Sequence, residues 1–173
     1  MENGCVIFNN QNNLTYRKRY IRRLLSIPII VDIILTAFFF SCYIQCYNAV
    51  LLLFSTIFLI LSILNIKIGI QECRFFITRI SIENKQLCVY YNEGNISKHV
   101  IIPMSNITLK IFHRTRGVGI CYTTNLRFYE NKRIILKQYT LQDWTLRTMQ
   151  SVAQKIEELK KEYEQEHTNT NKH

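Results

Sequence analysis

One carboxylate, Asp32, stands inside the apolar stretch 24–44. A charge near the centre of a bilayer costs at least about 2.5 to 3.5 kcal/mol on insertion scales, so an acid in such a place is a candidate proton or ion relay. Its surroundings argue for a quieter role. Pro28, four residues earlier, suits the first turn of a membrane-inserted helix and so places Asp32 about one turn from the interface. The Cα–Cβ bond tilts toward the helix N-terminus, where Arg22, Arg23 and Lys67 offer positive charge. A relay would also need more polar company than Ser55, Thr56, Ser62 and Asn65 of the second apolar stretch supply. The expectation is an intramembrane polar residue that is satisfied near the interface.

A second group with chemical potential is the basic series Lys110, Arg114, Arg116, Arg127, Lys132, Arg133 and Lys137. Arg114 and Arg116 fall on one predicted turn, Lys132 and Arg133 on another, and these four are the candidate contacts to lipid or to a protein partner. Trp144 is expected to plug a sheet from the buried stripe of a helix, because an indole buries more area than any other side chain. The six cysteines, at 5, 42, 46, 73, 88 and 121, form neither a CxxC pair nor a disulfide framework, and read as reduced or lipid-facing thiols. His99 and His113 could approach Cys88 or Cys121 across a sheet, but no ligand spacing supports a metal.

No P-loop, dinucleotide fingerprint, nucleophile elbow, HExxH helix or ordered carboxylate pair is present. Gly117-Val118-Gly119 lacks the helix that would follow a phosphate-binding loop. The expectation is a protein that is not an enzyme and that has no cofactor. Asn13-Leu14-Thr15, Asn95-Ile96-Ser97 and Asn106-Ile107-Thr108 match the glycosylation sequon by chance in an Asn-rich chain.

The elements that must hold these residues begin with two apolar runs, 24–44 and 49–66, separated only by Gln45-Cys46-Tyr47-Asn48. At 1.5 Å per residue each run is close to the roughly 30 Å of a hydrocarbon core. A four-residue gap predicts a transmembrane hairpin. Arg17-Lys18-Arg19-Tyr20-Ile21-Arg22-Arg23 precedes it, Lys67 follows it, and the connecting loop is uncharged. Basic flanks stay in the cytoplasm, so both termini are expected there, in a multi-pass protein of the inner (plasma) membrane. A cleaved signal peptide fits less well, because the apolar run is too long and a second span follows directly. Residues 73–173 carry sixteen Lys and Arg against nine Asp and Glu. Such a basic domain beneath an anionic leaflet gains about 1 kcal/mol per well-placed cation. Nothing resembles a helix-turn-helix, zinc finger or RNA-binding strand pair, so nucleic acid is not an expected partner.

Residues 1–15 are Asn-rich and read as a disordered tail. Residues 16–72 comprise the basic flank and the hairpin, with Tyr16, Tyr20 and Leu24 on one stripe of an interfacial lead-in. After Lys67 the apolar period changes to two, predicting strands at 74–82, 86–91, 96–102, 108–114, 118–129 and 133–139. Their turns are Glu83-Asn84-Lys85, Asn92-Glu93-Gly94-Asn95, Thr115-Arg116-Gly117 and Glu130-Asn131-Lys132, and Met104-Ser105-Asn106 makes a single helical turn. Even-numbered Val118, Ile120, Tyr122, Leu126 and Phe128 face one side of the fifth strand. A final helix is expected from Thr140, with Asp143 completing a cap. Its stripe is Leu141, Trp144, Thr148, Val152, Ile156, Leu159 and Tyr163, which must cover the sheet. Residues 164–173 are a polar tail.

Phe75-Phe76-Ile77-Thr78-Arg79-Ile80-Ser81 with Gln86-Leu87-Cys88-Val89-Tyr90, and Ile101-Ile102-Pro103-Met104-Ser105-Asn106-Ile107, resemble the opening hairpin and a strand-end motif of small bacterial membrane proteins with a pleckstrin-homology-like (PH-like) domain. The resemblance covers about residues 20–163 and implies an α+β fold: a transmembrane helical hairpin, then an antiparallel PH-like β-sandwich or barrel over residues 73–163, capped by one C-terminal amphipathic helix. Lys85 stands alone in the first hairpin, so specific phosphoinositide recognition is not implied. The function expected is a membrane-anchored interaction module contacting the lipid bilayer through anionic head groups, or contacting a membrane protein. The alternative is a structural or regulatory subunit whose hairpin packs against a larger membrane complex.

Overall fold

The computed structural model describes residues 5–10, 14–116 and 121–170, with side chains omitted at 27–28, 114–116, 121–122 and 166–170. The chain forms two compact units, one of residues 15–73 and one that joins residues 1–14 to 74–173.

The first unit is helical. Helix α1 (Tyr16–Leu24) begins at Thr15, and α2 (Ile27–Cys46) has Pro28 in its first turn, where a missing N–H costs nothing. Tyr47 adopts a left-handed conformation (φ 49°) and donates its N–H to the Tyr43 carbonyl at 2.7 Å. Asn48 Oδ1 then accepts from Val50 N at 2.9 Å and starts α3 (Ala49–Arg74). Only two residues therefore separate the long helices. The helix also outlasts the apolar run 49–66: α3 continues to Arg74, and the first strand of the expected series begins at Phe75 where 74 was expected.

A seam of small residues explains how α3 packs. Ser55, Ser62 and Gly69, each seven residues apart, are buried, the spacing that keeps one face toward a neighbour in a left-handed pair. Ser55 Oγ donates to the Thr36 carbonyl at 3.2 Å, and Phe39 stacks with both Phe54 and Phe58 at 5.5 and 5.6 Å. At Gly69 an added Cβ would lie 3.2 Å from Arg23 Cγ, so glycine lets α1 close on α3. Arg23 pairs there with the buried Glu72 at 2.5 Å. The basic flank is thus divided: Arg17, Lys18 and Arg22 are exposed, while Arg19 is buried, and loss of solvent pulls its guanidinium below the ordinary value. Elsewhere α2 and α3 turn their large apolar side chains outward, with 6% and 11% of the long apolar windows buried. By length and composition both can cross a membrane.

The second unit holds two antiparallel sheets and one helix. Sheet A has the order β1 (Cys5–Asn9), β2 (Phe75–Glu83), β3 (Gln86–Glu93), β4 (Ile96–Pro103). Sheet B has the order β5 (Ile107–Arg116), β6 (Cys121–Glu130), β7 (Arg133–Tyr139). Helix α4 (Leu146–Thr170) follows. The main correction is at the N-terminus. Residues 5–9, expected within a disordered tail, form the edge strand of sheet A. Within its apolar run Cys5–Phe8, Ile7 and Phe8 decide this, since they pack on the core and the Phe8 ring lies 4.2 Å from that of Trp144.

The remaining strands fall close to the expected positions, and Met104–Asn106 forms the expected single turn. Two hairpins close through Asn84-Lys85 and Asn131-Lys132, all four residues at positive φ, the type I′ geometry that matches strand twist. Gly94, at φ 62°, serves the β3–β4 turn. Val118 and Ile120 lie outside the described residues, whereas Leu126 and Phe128 are buried as their alternation predicts. The sheets do not close into a barrel among the described residues. They meet where the buried Gln138 Oε1 accepts from Ile77 N at 2.7 Å.

Trp144 closes this core from a different position than expected. Helix α4 starts at Leu146, not Thr140, because Leu141 and Trp144 bridge to one another and Thr145 Oγ1 caps Thr148 N at 3.1 Å. The indole is fully buried and donates to the Ile77 carbonyl at 2.9 Å. From α4 itself Met149, Val152 and Ile156 enter the core. The helix runs on to Thr170, through most of the segment read as a polar tail.

Candidate functional site

The four loop cations are not brought together. Arg114 and Arg116 belong to β5 and not to a turn, and Arg116 pairs with Cys121 at one end of β6. Lys132 and Arg133 lie beyond Glu130 at the other end. Nine steps along a strand separate the two ends by about 30 Å. The turn carrying Lys132 also sits beside the single helical turn, with Asn131 N donating to Asn106 O at 3.3 Å and Met104 N to Lys85 O at 3.4 Å. Both Asn-Lys turns are therefore at the far end of β2 from Phe75, a distance of about 26 Å. Lys110 and Arg127 instead lie over the Tyr129 and Phe112 rings of sheet B.

Asp32 is partnered as expected, but among the described residues its partner is not a cation. Its Oδ2 accepts from Asn65 Nδ2 of α3 at 2.7 Å, and its carbonyl accepts from Thr36 Oγ1 at 2.8 Å. Arg23, an anticipated partner, is committed to Glu72. The result is a carboxylate–amide clasp between two helices.

A different constellation appears on sheet A. Strand pairing sets Asn9 opposite Arg79, Arg79 opposite Tyr90, and Tyr90 opposite His99, and directly opposed residues point to the same face. A bulge between Ile77 and Arg79 leaves Thr78 unopposed, an irregularity that re-aims the side chains after it. The Arg79 guanidinium stands 5.6 Å from the Tyr90 ring centre, and the His99 ring lies 5.9 Å from the same ring on its other side. Together with Asn10, Thr78, Tyr91, Ser97 and Lys98 these residues line a groove of about 420 Å³.

No carboxylate lines this groove. Among the described residues Arg79 has no salt bridge, and Lys98 is held at 2.6 Å by Glu93, which also binds Arg74. The Lys98 and Arg74 bonds draw the Glu93 carboxyl below its usual range, and the same contact raises Lys98. Arg79 and His99 thus share one face of sheet A with Tyr90, while strand alternation turns Lys98, opposite Tyr91, to the other face; an exposed guanidinium beside an imidazole can hold an anion by charge-assisted hydrogen bonds. His113, on the other sheet, bonds through Nδ1 to Thr124 Oγ1 at 2.9 Å, and Cys88 is buried in β3.

Reading cations by loop missed this site, whose members come from four strands. Counting outward from the turns would have found it: Glu83 pairs with Gln86 and Gln86 with Pro103, which carries Arg79 to Tyr90 and Tyr90 to His99. The chain matches no protein-family model, and no curated protein or solved structure is significantly similar to it.

Proposed function

We propose that this protein is a membrane-anchored, non-enzymatic PH-like interaction module that contacts anionic lipid head groups through the sheet A groove. In this reading α2 and α3 are the two spans of an inner-membrane hairpin, and the β unit is cytoplasmic. Four strands, three strands and a terminal helix follow the element order of a PH-like domain, with the helical unit inserted between β1 and β2. The observation that carries the proposal is the carboxylate-free groove that holds Arg79 and His99. It sits at the end of sheet A where the chain leaves Asn9 and returns at Phe75.

The test is amide exchange of the full chain in nanodiscs. Anionic phosphatidylglycerol discs are expected to protect residues 96–99 relative to phosphatidylcholine discs, and high salt is expected to remove the protection, since exposed charges are screened. Equal exchange in both lipids overturns the lipid reading.

One observation favours the alternative, a subunit whose hairpin packs against a larger membrane complex. Between α2 and α3 lies a groove of about 480 Å³ lined by Thr36, Ala37, Ser55 and Ser62 among larger apolar residues, and Ser62 Oγ is buried there without a hydrogen-bond partner among the described residues. Ala37→Phe would block such packing and leave lipid-dependent protection of sheet A unchanged. If assembly into a complex is lost with Ala37→Phe but survives Arg79→Glu, the hairpin is the working part.

A further inference from the structure

We infer that α1 is an in-plane lipid-binding helix that seats Ile21 and Leu25 in the head-group layer of an anionic leaflet, with Arg17, Lys18 and Arg22 on the phosphates around them. This rests on the reading of α2 and α3 as membrane spans and uses a surface separate from the sheet A groove. The helix is built the wrong way round for water. The side chain it buries is a cation, Arg19 at 1% exposure, and Arg23, one turn on along that face, pairs with the buried Glu72. The side chains it exposes include Ile21 at 43% and Leu25 at 66%. A helix on the surface of a soluble protein buries its apolar row and turns its cations outward. Loose packing does not explain the inversion, because a Cβ at Gly69 would stand 3.2 Å from Arg23 Cγ.

Residues four apart on a helix share a row. Arg17, Ile21 and Leu25 form one exposed row, Leu25 continuing it by donating its N–H to the Ile21 carbonyl at 3.0 Å, and Lys18 with Arg22 forms the row beside it. Helix α1 carries no acid, and among the described residues none of its three exposed cations has a salt bridge. An apolar strip edged by unpaired Lys and Arg suits the membrane interface, where the apolar ends enter the acyl boundary and the long stems reach back to phosphate. Two contacts fix the depth. Only Leu25 and Ser26 separate α1 from α2, and its anchors on α3, Gly69 and Glu72, lie just past the apolar run 49–66. Arg17 and Arg22 are about 7.5 Å apart along the axis, so the cations are spread along the helix and suit separate lipids of a leaflet better than one multiply charged ligand. The stripe expected to lead into the membrane, Tyr16, Tyr20 and Leu24, is half-buried instead, with the two tyrosine rings 6.4 Å apart.

The experiment places the full chain in nanodiscs of phosphatidylcholine with added phosphatidylglycerol and makes two measurements. In the first, a nitroxide on a sole cysteine reports collisions with oxygen, which concentrates in lipid, and with a water-soluble nickel chelate. Labels at Ile21→Cys and Leu25→Cys should favour oxygen, while Tyr20→Cys should not, and Leu53→Cys, exposed on α3, marks the hydrocarbon. Oxygen preference at Tyr20 in place of Ile21 would restore the stripe expected from sequence and overturn the inference. Nickel collisions at Ile21 and Leu25 with Leu53 in lipid overturn it and leave the spans standing, whereas nickel collisions at Leu53 as well overturn the spans. The second measurement compares how strongly spin-labelled phosphatidylglycerol and phosphatidylcholine associate with the protein. Changing Arg17, Lys18 and Arg22 together to Gln should reduce the preference for phosphatidylglycerol at least fivefold, the value of a single well-placed cation, with an unchanged melting temperature because all three are exposed. Arg79→Gln in the sheet A groove should leave most of that preference in place. A preference that survives the triple change, or that is lost with Arg79→Gln alone, removes the cations of α1 from lipid binding.

Discussion

Trp144 and Asp32 show how far a single residue type discloses its task. Both had a quiet reading in the sequence, one as core and the other as a satisfied carboxylate, and both are so placed, yet neither has the partner that spacing implied. Trp144 joins the core just before α4 and ties itself to Ile77 through the indole N–H. Trp144→Ala should therefore destabilise the β unit by about 3 to 5 kcal/mol, measured by denaturant unfolding of the detergent-solubilised full chain. An unchanged midpoint would mean that the indole does not bridge the sheets. Trp144→Phe should fall between, since it restores area but leaves the Ile77 carbonyl without its donor. At Asp32 the clasp with Asn65 asks only for an acceptor. Asp32→Asn should thus hold the hairpin together within about 1 kcal/mol, while Asn65→Leu, which strands the carboxylate, should cost more. Loss of assembly in Asp32→Asn would revive a role for the charge itself.

At the scale of elements, strands whose apolar residues alternate between polar turns were legible from sequence, because periodicity and the Asn-Lys dipeptides agree on where each hairpin folds. What stayed hidden were elements decided by distant partners. Strand β1 is a short apolar run, Cys5 to Phe8, without alternation and set among asparagines, and it forms because β2 offers an open edge and Trp144 a surface for Phe8. The start of α4 moved for a similar reason: Thr140 N is spent on the Thr124 carbonyl, which draws 140–144 into the end of sheet B and leaves Thr145 to cap. The groove residues were hidden by the same rule, since only pairing joins Arg79 to His99. If β1 is integral, Phe8→Ala should cost about 2 kcal/mol in the same unfolding assay, a value reduced from the buried-Phe range for partial exposure. Combined with Trp144→Ala it should cost less than the sum, because touching aromatic rings share about 0.5 to 1.5 kcal/mol. Full additivity, or no effect of Phe8→Ala, would return residues 5–9 to the status of a tail.

For the whole molecule, the position of β1 constrains topology more firmly than flanking charge does. Hydrogen bonds join β1 to β2, so Asn9 and Phe75 belong to one sheet, and one sheet cannot be shared across a bilayer whose core admits no open strand edge. The chain between them must cross an even number of times. Two helices long and apolar enough to cross a membrane satisfy that condition, and in the proposed reading the cations at 17–23 put the common side in the cytoplasm. Thiol positions turn this into a measurement. Cys46, exposed at the end of α2 beside Tyr47, should react with a membrane-impermeant maleimide in intact cells carrying it as the sole cysteine, while Cys5, exposed on β1, should react only after permeabilisation. Cys73 and Cys88 are poor reporters, being buried, and burial pushes the Cys88 thiol up and away from its reactive thiolate. Labelling of Cys5 but not Cys46 from outside would invert the orientation and keep the hairpin. Labelling of both from the same side would mean that α2 and α3 do not cross, and the membrane anchor itself would have to be abandoned.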